Sequence, residues 1–430
     1  MTTVAVAMLG ARMHYAVPRL LHEAGLLDRF FTDSYVGNKP WLQAGLCALP
    51  AVLRSSAVER WLGRCEPALP PEKVTSFDLL GLWYGRARQR AKGAADTSEV
   101  FYQAAARFNR NILHVGLGDA SVVWGFNGAA LELFMVAKRE GRCCVLEQTI
   151  LPRSLERSLL RQEQLRWPGW DINPCDWSQQ LAMDGREEAE WQLADVVVTG
   201  SAFVRDGLVE LGVHPQKIHV IPYGVDPNRF EPPTYRSARS SNQQGPLKVL
   251  FAGEVGLRKG VPDLLEAVQQ FSPAEIDLRL AGSISLHHSK LHRYHAHAQF
   301  LGAVPRSRMQ DLFQWADVFV LPSILEGSAT VIYEAVTAGC PVITTPNAGS
   351  IIQDGVDGFV VPIRSPERIA QALRMYIEKP HLLPVHKLAL ETSRHLASLN
   401  RYGHDLALMI AGFALDSDAA VYEAVVSVDE

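Results

Sequence analysis

Short β-branched and apolar runs alternate with longer stretches of helical period from one end of the chain to the other. This is the pattern of βα units around parallel sheets, whose doubly buried strands read as continuous apolar runs. In the first half it predicts strands at Val4 to Leu9, Arg29 to Thr32, Ser121 to Phe126, Cys143 to Glu147, Asp195 to Thr199 and Lys217 to Ile221. In the second half they fall at Leu247 to Ala252, Ile276 to Ala281, Gln299 to Leu301, Val318 to Leu321, Val342 to Thr344 and Phe359 to Val361. Between the two sets, PYGVDPNRFEPPTYRSARSSNQQGP at 222–246 is rich in Pro, Ser, Asn and Gln and has no apolar period, which reads as a linker. The expected organisation is an N-terminal lobe over 1–222, a linker over 223–246 and a second lobe over 247–381. Residues 382–430 follow as two helices (Leu388 to Leu396, Gly403 to Leu415) and a tail, a segment that can pack back towards the N-terminal lobe. Two such lobes leave a deep cleft, and open α/β sheets bind ligands beyond the carboxyl ends of their strands.

Composition narrows the class. The 430 residues are 20% charged and 47% hydrophobic, ordinary globular usage, which excludes a disordered, collagenous or coiled-coil chain. Lys and Arg number 42 against 46 Asp and Glu, so no global positive charge points to nucleic acid. Cys47, Cys65, Cys143, Cys144, Cys175 and Cys340 form no regular framework, which suits a reducing, cytoplasmic compartment. The N-terminus lacks a basic region before its apolar run and reads as a first strand rather than a leader. The longest apolar stretch, Trp41 to Leu53, is too short to span a bilayer. It belongs to an insertion at about 36–110 that carries eleven Lys or Arg against six Asp or Glu. A basic face beside an apolar segment suits peripheral docking on the anionic inner face of a membrane, or an anionic acceptor; solvated helices around the lobe would look the same.

The densest chemical signal is ADVFVLPSILEGSATVIYEAVTAGCPVITTP at 316–346, read as strand, loop, helix opening near Ser328, stop and strand. The helix mouth at Gly327, Ser328, Ala329 and Thr330 offers backbone N–H groups and a positive dipole end to phosphate. Glu326 lies ahead of that mouth, and Glu334 follows nearly two turns along. Carboxylates on either side of an anion site match a nucleoside diphosphate sugar, with Glu326 on the sugar hydroxyls and Glu334 on the ribose. A second segment, KVLFAGEVGLRKGVPDLLEAV at 248–268, is a strand, a loop containing Gly253, and a helix with Arg258 and Lys259 at its mouth. Fixed cations there would stabilise a departing diphosphate.

These residues resemble the family 4 glycosyltransferases of the GT-B fold. The matches are Arg258-Lys259-Gly260, the E-x7-E pair Glu326 and Glu334, VIPYGVDPNRF at 220–230 and NAGSIIQDGVDGFVVP at 347–362, within a likeness covering 195–378. The resemblance implies an α/β fold of two Rossmann-like domains and transfer of a sugar, with retention, from a nucleoside diphosphate sugar to an unidentified glycan, lipid-linked or small-molecule acceptor. It implies Arg258 and Lys259 on the diphosphate, Glu326 on the donor sugar, Glu334 on the ribose, and the base against Val304 and Pro305. No metal or other cofactor is expected, and the biosynthesis of a polysaccharide or glycoconjugate is the implied setting.

The first half departs from the family pattern. Gly10 stands where family members have a glycine pair approaching the diphosphate, and the loop reads GARMHY, with His14 as a candidate donor to the cleft. Many members carry a histidine after an N-terminal-lobe strand; the corresponding segments, 124–128 and 146–153, have none. Asn127, Glu147, Gln148 and Thr149 are the acceptor-side candidates there. That departure leaves open a catalytically weak GT-B protein that only binds sugar nucleotide or glycan, or a phosphorylase or epimerase on the same fold. His287, His288, His292, His295 and His297 include an i, i+4 pair, but without an acidic or Cys neighbour they read as a solvated helix or loop rather than a zinc site.

Overall fold

The computed structural model describes residues 2–48, 54, 56–91, 93–174, 181–229 and 245–426. Cys175, most of the expected linker, the end of the Trp41 to Leu53 stretch and the last residues of the tail lie outside that set.

The N-terminal lobe is built on β1 (Val4–Met8), β2 (Leu27–Thr32), β3 (Val74–Ser76), β4 (Val122–Phe126), β5 (Cys143–Gln148), β6 (Val196–Thr199) and β7 (Ile218–Val220). They form a seven-stranded sheet in the order β3-β2-β1-β4-β5-β6-β7. The C-terminal lobe uses β8 (Leu247–Ala252), β9 (Ile276–Ala281), β10 (Ala298–Gly302), β11 (Val318–Leu321), β12 (Val342–Thr344) and β13 (Gly358–Val360). Its six strands run β10-β9-β8-β11-β12-β13. Every strand pairing is parallel, as continuous runs such as VAVAM in β1, buried throughout, require. In each sheet the strand order reverses once, between β1 and β4 and between β8 and β11. The crevice for a ligand opens at those switch points.

The strands fall where the apolar runs place them, with β3 as an addition. Three residues are too few to show a period, and β3 is defined by its edge pairing, Phe30 opposite Val74. The C-terminal helices differ more: they span Leu382–Ser393 and Leu399–Val426. Pro384 looks like a breaker but sits in the first turn of its helix, where no intrahelical N–H is lost. The last helix returns to the N-terminal lobe. Val225 N donates to Ala397 O at 2.8 Å, Leu399 N donates to Val225 O at 3.0 Å, and the Tyr402 and Tyr223 rings meet edge-on at 5.7 Å.

The lobes also touch on the far side of the cleft. The helix Arg153–Arg166 leads into a segment where His287 N donates to Trp170 O and Ile172 N donates to Ser285 O. Arg166 pairs with Asp263 at 2.7 Å, and Arg364 pairs with Glu163. No helix among the described residues is long and apolar enough to cross a membrane.

Candidate functional site

The loop after β8 turns sharply at Gly260, whose φ is +66°. A Cβ there would lie 2.0 Å from the Pro322 carbonyl oxygen, so only glycine lets the Arg258-Lys259 turn press against the end of β11. That approach brings Lys259 Nζ to 2.6 Å from Glu326 Oε1 and Arg258 Nη2 to 3.1 Å from Glu326 Oε2. A cavity of about 510 Å³ opens beside this triad. Its walls include Gly253, Lys259, Val304, Glu326, Ser328 and Glu334. Glu326 and Glu334 are each 8% exposed, so what little surface they have faces this space. Arg306 Nη2 stands 3.6 Å from Glu334 Oε1 and also contacts His14 of the opposite lobe.

The helix after Glu326 begins at Thr330, not Ser328. Ala329 N donates to Ala348 O at 3.0 Å and is thus already engaged. Glu334 is consequently one turn into the helix, roughly 6 Å along its axis, rather than two. Ile332 N donates to Ala329 O at 2.9 Å, which leaves Thr330 and Val331 as the first-turn N–H groups without an intrahelical acceptor, and both line the cavity.

Facing this cavity, the N-terminal lobe presents the ends of β1, β4 and β5. Glu147, 1% exposed, accepts from Trp124 Nε1 at 3.1 Å and from Tyr223 Oη at 3.0 Å. Burial pushes its carboxyl up to about 7, against the opposing pull of the Tyr223 hydrogen bond and the Arg12 charge. Thr149 donates from Oγ1 to Asn127 Oδ1 at 2.9 Å and receives Arg12 Nη1 at 2.6 Å. Asn127 in turn donates to Glu187 at 3.1 Å. Glu156, in the first turn of Arg153–Arg166, has its carboxyl raised by burial, with the charges of Arg258 and Arg153 opposing.

The lobes meet at Gly327. A Cβ on that residue would lie 1.8 Å from the Thr149 carbonyl oxygen, and Ser201 Oγ donates to its carbonyl. Thr149 therefore sits directly across from the loop that carries Glu326.

Not every expected residue reaches the cleft. Arg258 lines a smaller neighbouring recess of about 190 Å³ between the lobes, shared with Lys259, Gln164 and Asp171. Gly10 donates to Asp33 Oδ1 and is not part of the cavity wall. Val304 lines the wall and Pro305 does not; Ala303 and Met309 do. Gln148 points away from Glu147, as neighbours on a strand must, and is spent on Trp191 Nε1 and Ile150 O inside the lobe. Asn127, 4% exposed, orients Thr149 rather than lining either the donor-side cavity or the neighbouring N-terminal-lobe cavity. His14 is exposed and lies in the left-handed region at φ 51°. Among the described residues no group of three or more His, Cys, Asp or Glu could hold a metal, and the described cysteines are free thiols.

Residues 246–379 match the family profile described as Glycosyl transferases group 1, and residues 174–229 match Glycosyltransferase Family 4. Both matched segments are thus those of group 1 and family 4 glycosyltransferases. Among curated relatives, the D-inositol 3-phosphate glycosyltransferase of Xylanimonas cellulosilytica is 31% identical over 207 residues, 44% of this chain and 49% of that protein. The putative glycosyltransferase EpsD of Bacillus subtilis is 31% identical over 192 residues, covering 41% and 49%. The match thus spans about half the length of these relatives. Among solved structures, Anabaena HepE in complex with UDP and glucose superposes with a TM-score of 0.59 at 15% identity, covering 96% of this chain and all of that one. The sucrose-phosphate synthase of Thermosynechococcus elongatus gives 0.59 at 17% identity over 98% of this chain. These likenesses show the GT-B architecture, two parallel sheets facing across a cleft.

Three polar residues of this cleft escape a sequence reading: Arg12, Arg306 and Glu254, the last of which lines both the main cavity and the recess beside it. Arg306 directly follows the Val304-Pro305 loop, and Glu254 directly follows Gly253, so adjacency to those loops is the available signal. Arg12 has none, because its direction depends on an irregular turn.

Proposed function

We propose that the protein is a retaining glycosyltransferase that moves a sugar from a nucleoside diphosphate sugar to an acceptor held by the N-terminal lobe. The observation that carries this reading is one cavity lined by Lys259, Glu326 and Glu334 together, with Lys259 and Glu326 paired. Lys259, with Arg258 behind it, binds the diphosphate; Glu326 accepts from hydroxyls of the sugar and Glu334 from those of the ribose. Val304 gives the base an apolar rest, and the first-turn N–H groups at Thr330 and Val331 complete the anion site.

In the reaction the bond from the anomeric carbon to the β-phosphate oxygen breaks and its electron pair stays on phosphate. The cations, held in place before substrate arrives, stabilise that charge without reorganising. The sugar passes through an oxocarbenium-like state, and the acceptor hydroxyl attacks on the face the diphosphate leaves. Its proton passes to the departing phosphate oxygen, so configuration is retained. The positive charge comes from side chains, and no resident cofactor is part of the proposal. HepE, a structural relative, is known in complex with UDP-glucose, which makes that donor the first to test.

Peripheral contact with an anionic membrane on the cytoplasmic side is part of the proposal. Its support is the helix Asp78–Arg90, where Leu79 and Leu82 are 85% and 53% exposed beside exposed Arg86, Arg88 and Arg90. Trp41, on the helix Pro40–Ala48, is 76% exposed.

A thermal-shift screen of UDP-, GDP- and ADP-sugars, followed by assay of released nucleoside diphosphate, tests the reading. One donor should raise the melting temperature by mass action and be hydrolysed slowly without acceptor. Stabilisation with no release would mark a binding protein, and no stabilisation by any donor would overturn the proposal.

A further inference from the structure

The N-terminal lobe holds a cavity of its own, about 350 Å³, across the Gly327–Thr149 contact from the one described above. Met8, Met13, Val17, Phe126 and Ile150 make its walls mainly apolar, and Arg12, Glu147, Thr149 and Tyr223 supply the polar groups. That volume is in the range of small-ligand pockets, and a few convergent polar groups on apolar walls are what such pockets use for orientation.

Its polar groups are unequal. Glu147 is the one carboxylate in the lining, and both its oxygens are occupied by Trp124 and Tyr223. Thr149 is engaged by Asn127 and by Arg12. Arg12 spends Nη1 on Thr149 and lies over the Phe126 ring at 5.6 Å, and it makes no other side-chain hydrogen bond or ion pair among the described residues. Five N–H donors on a planar fork leave most of its capacity for something else. Glu147 acts on Arg12 only through space, without an ion-pair contact, and a guanidinium with no carboxylate in contact in a low-dielectric wall costs free energy unless an anion completes it.

The backbone aims it. Met13, His14 and Tyr15 all have positive φ, 46°, 51° and 62°, a run of left-handed residues without a glycine. Strain of this kind persists only where the surroundings hold it, and it clusters at ligand sites. The turn sends His14 out to Arg306 while Arg12 goes inwards over Phe126.

We propose that this cavity is the acceptor pocket and that it selects an acceptor bearing an oxyanion, such as a phosphate, on an apolar stem, with Arg12 gripping the oxyanion through its free N–H groups. The proposal rests on the glycosyltransferase reading for what the ligand is used for; the pocket and its anion preference stand on Arg12 alone. Thr149 belongs to both the cavity wall and the interlobe contact, which sets the bound acceptor beside the loop carrying Glu326.

The test is isothermal titration of phenyl phosphate and geranyl phosphate, with inorganic phosphate and benzyl alcohol as controls, in the presence of saturating nucleoside diphosphate. At least one organic phosphate should bind ten or more times tighter than either control. Geranyl phosphate as the tighter probe indicates a lipid-linked acceptor, and phenyl phosphate a small one. Arg12→Gln should weaken that binding at least tenfold, and Val17→Phe, which fills the cavity and keeps Arg12, should do the same; melting curves verify that each variant is folded. Unchanged binding in Arg12→Gln overturns the oxyanion grip, and unchanged binding in Val17→Phe overturns the location. Nucleoside diphosphate binding without probe binding sinks this proposal and spares the donor site. Probe binding with no nucleotide binding does the reverse.

Discussion

Lys259 Nζ stands 2.6 Å from Glu326 Oε1, and Arg258 reaches the other oxygen of the same carboxylate at 3.1 Å. Glu326 thereby fixes the two cations before any substrate arrives. Since Lys259 lines the main cavity and Arg258 only the recess beside it, the proposed function makes Lys259 the cation that would meet the leaving diphosphate first. Lys259→Ala should lower turnover by about 100-fold, the scale seen when one preorganised charge-stabilising group is lost. Steady-state release of nucleoside diphosphate measures it, and unchanged turnover would contradict the assignment.

The proposed function puts Glu334 on the ribose, away from the bond that breaks. Its loss should fall on binding rather than chemistry: Glu334→Ala should weaken nucleoside diphosphate affinity about tenfold, the worth of a hydrogen bond to a charged group. Titration calorimetry reads the affinity and single-turnover kinetics the chemical step, which should change much less.

At Gly327 the lobes are in close contact, and a methyl group there would sit 1.8 Å from the Thr149 carbonyl oxygen. Gly327→Ala cannot keep this approach. It should leave each lobe folded while forcing them apart, with a larger radius of gyration by X-ray scattering and turnover down at least 100-fold, because misplacement of about an ångström already costs that much. A variant with wild-type scattering and activity would show that the contact is not needed.

Two buried N-terminal-lobe carboxyls, Glu147 and Glu190, are each raised by burial from the usual 4.5 to about 7. Between those values the folded chain keeps protons that the unfolded chain has released. Their stabilising effect is therefore complete below about pH 4.5, declines as pH rises towards 7 and levels off above it. Each is worth about 3 kcal/mol at most. Their contribution should accordingly lower the melting temperature between pH 5 and 7, and Glu147→Gln should remove its share of that fall, the other raised carboxyls keeping theirs. The Gln amide can still accept from Trp124 and can donate to the Tyr223 hydroxyl. Identical pH profiles would show that Glu147 does not titrate in this window.

Much of this is written locally in the chain. The β8 and β11 loops could be read from sequence because their chemical residues lie in the loop or helix that follows an apolar strand, and Gly260 marks the turn that brings them together. Strand parity is less legible: Glu147 and Gln148 are neighbours at the end of β5, and only packing decides that Glu147 lines a cavity while Gln148 goes to Trp191. The start of the helix at Thr330 depends on Ala329 bonding to Ala348, a contact with a different loop. Arg12 is the extreme case. Its direction is set by left-handed residues at Met13, His14 and Tyr15, and only His14 is of a type enriched in that conformation.

The most direct measurement is a crystal structure with the nucleoside diphosphate that stabilises the protein best. The account predicts the diphosphate against Lys259 and the first turn at Thr330, with the ribose hydroxyls within hydrogen-bond distance of Glu334. A nucleotide bound elsewhere, with the Lys259, Glu326 and Glu334 side chains left as they are without ligand, would contradict it.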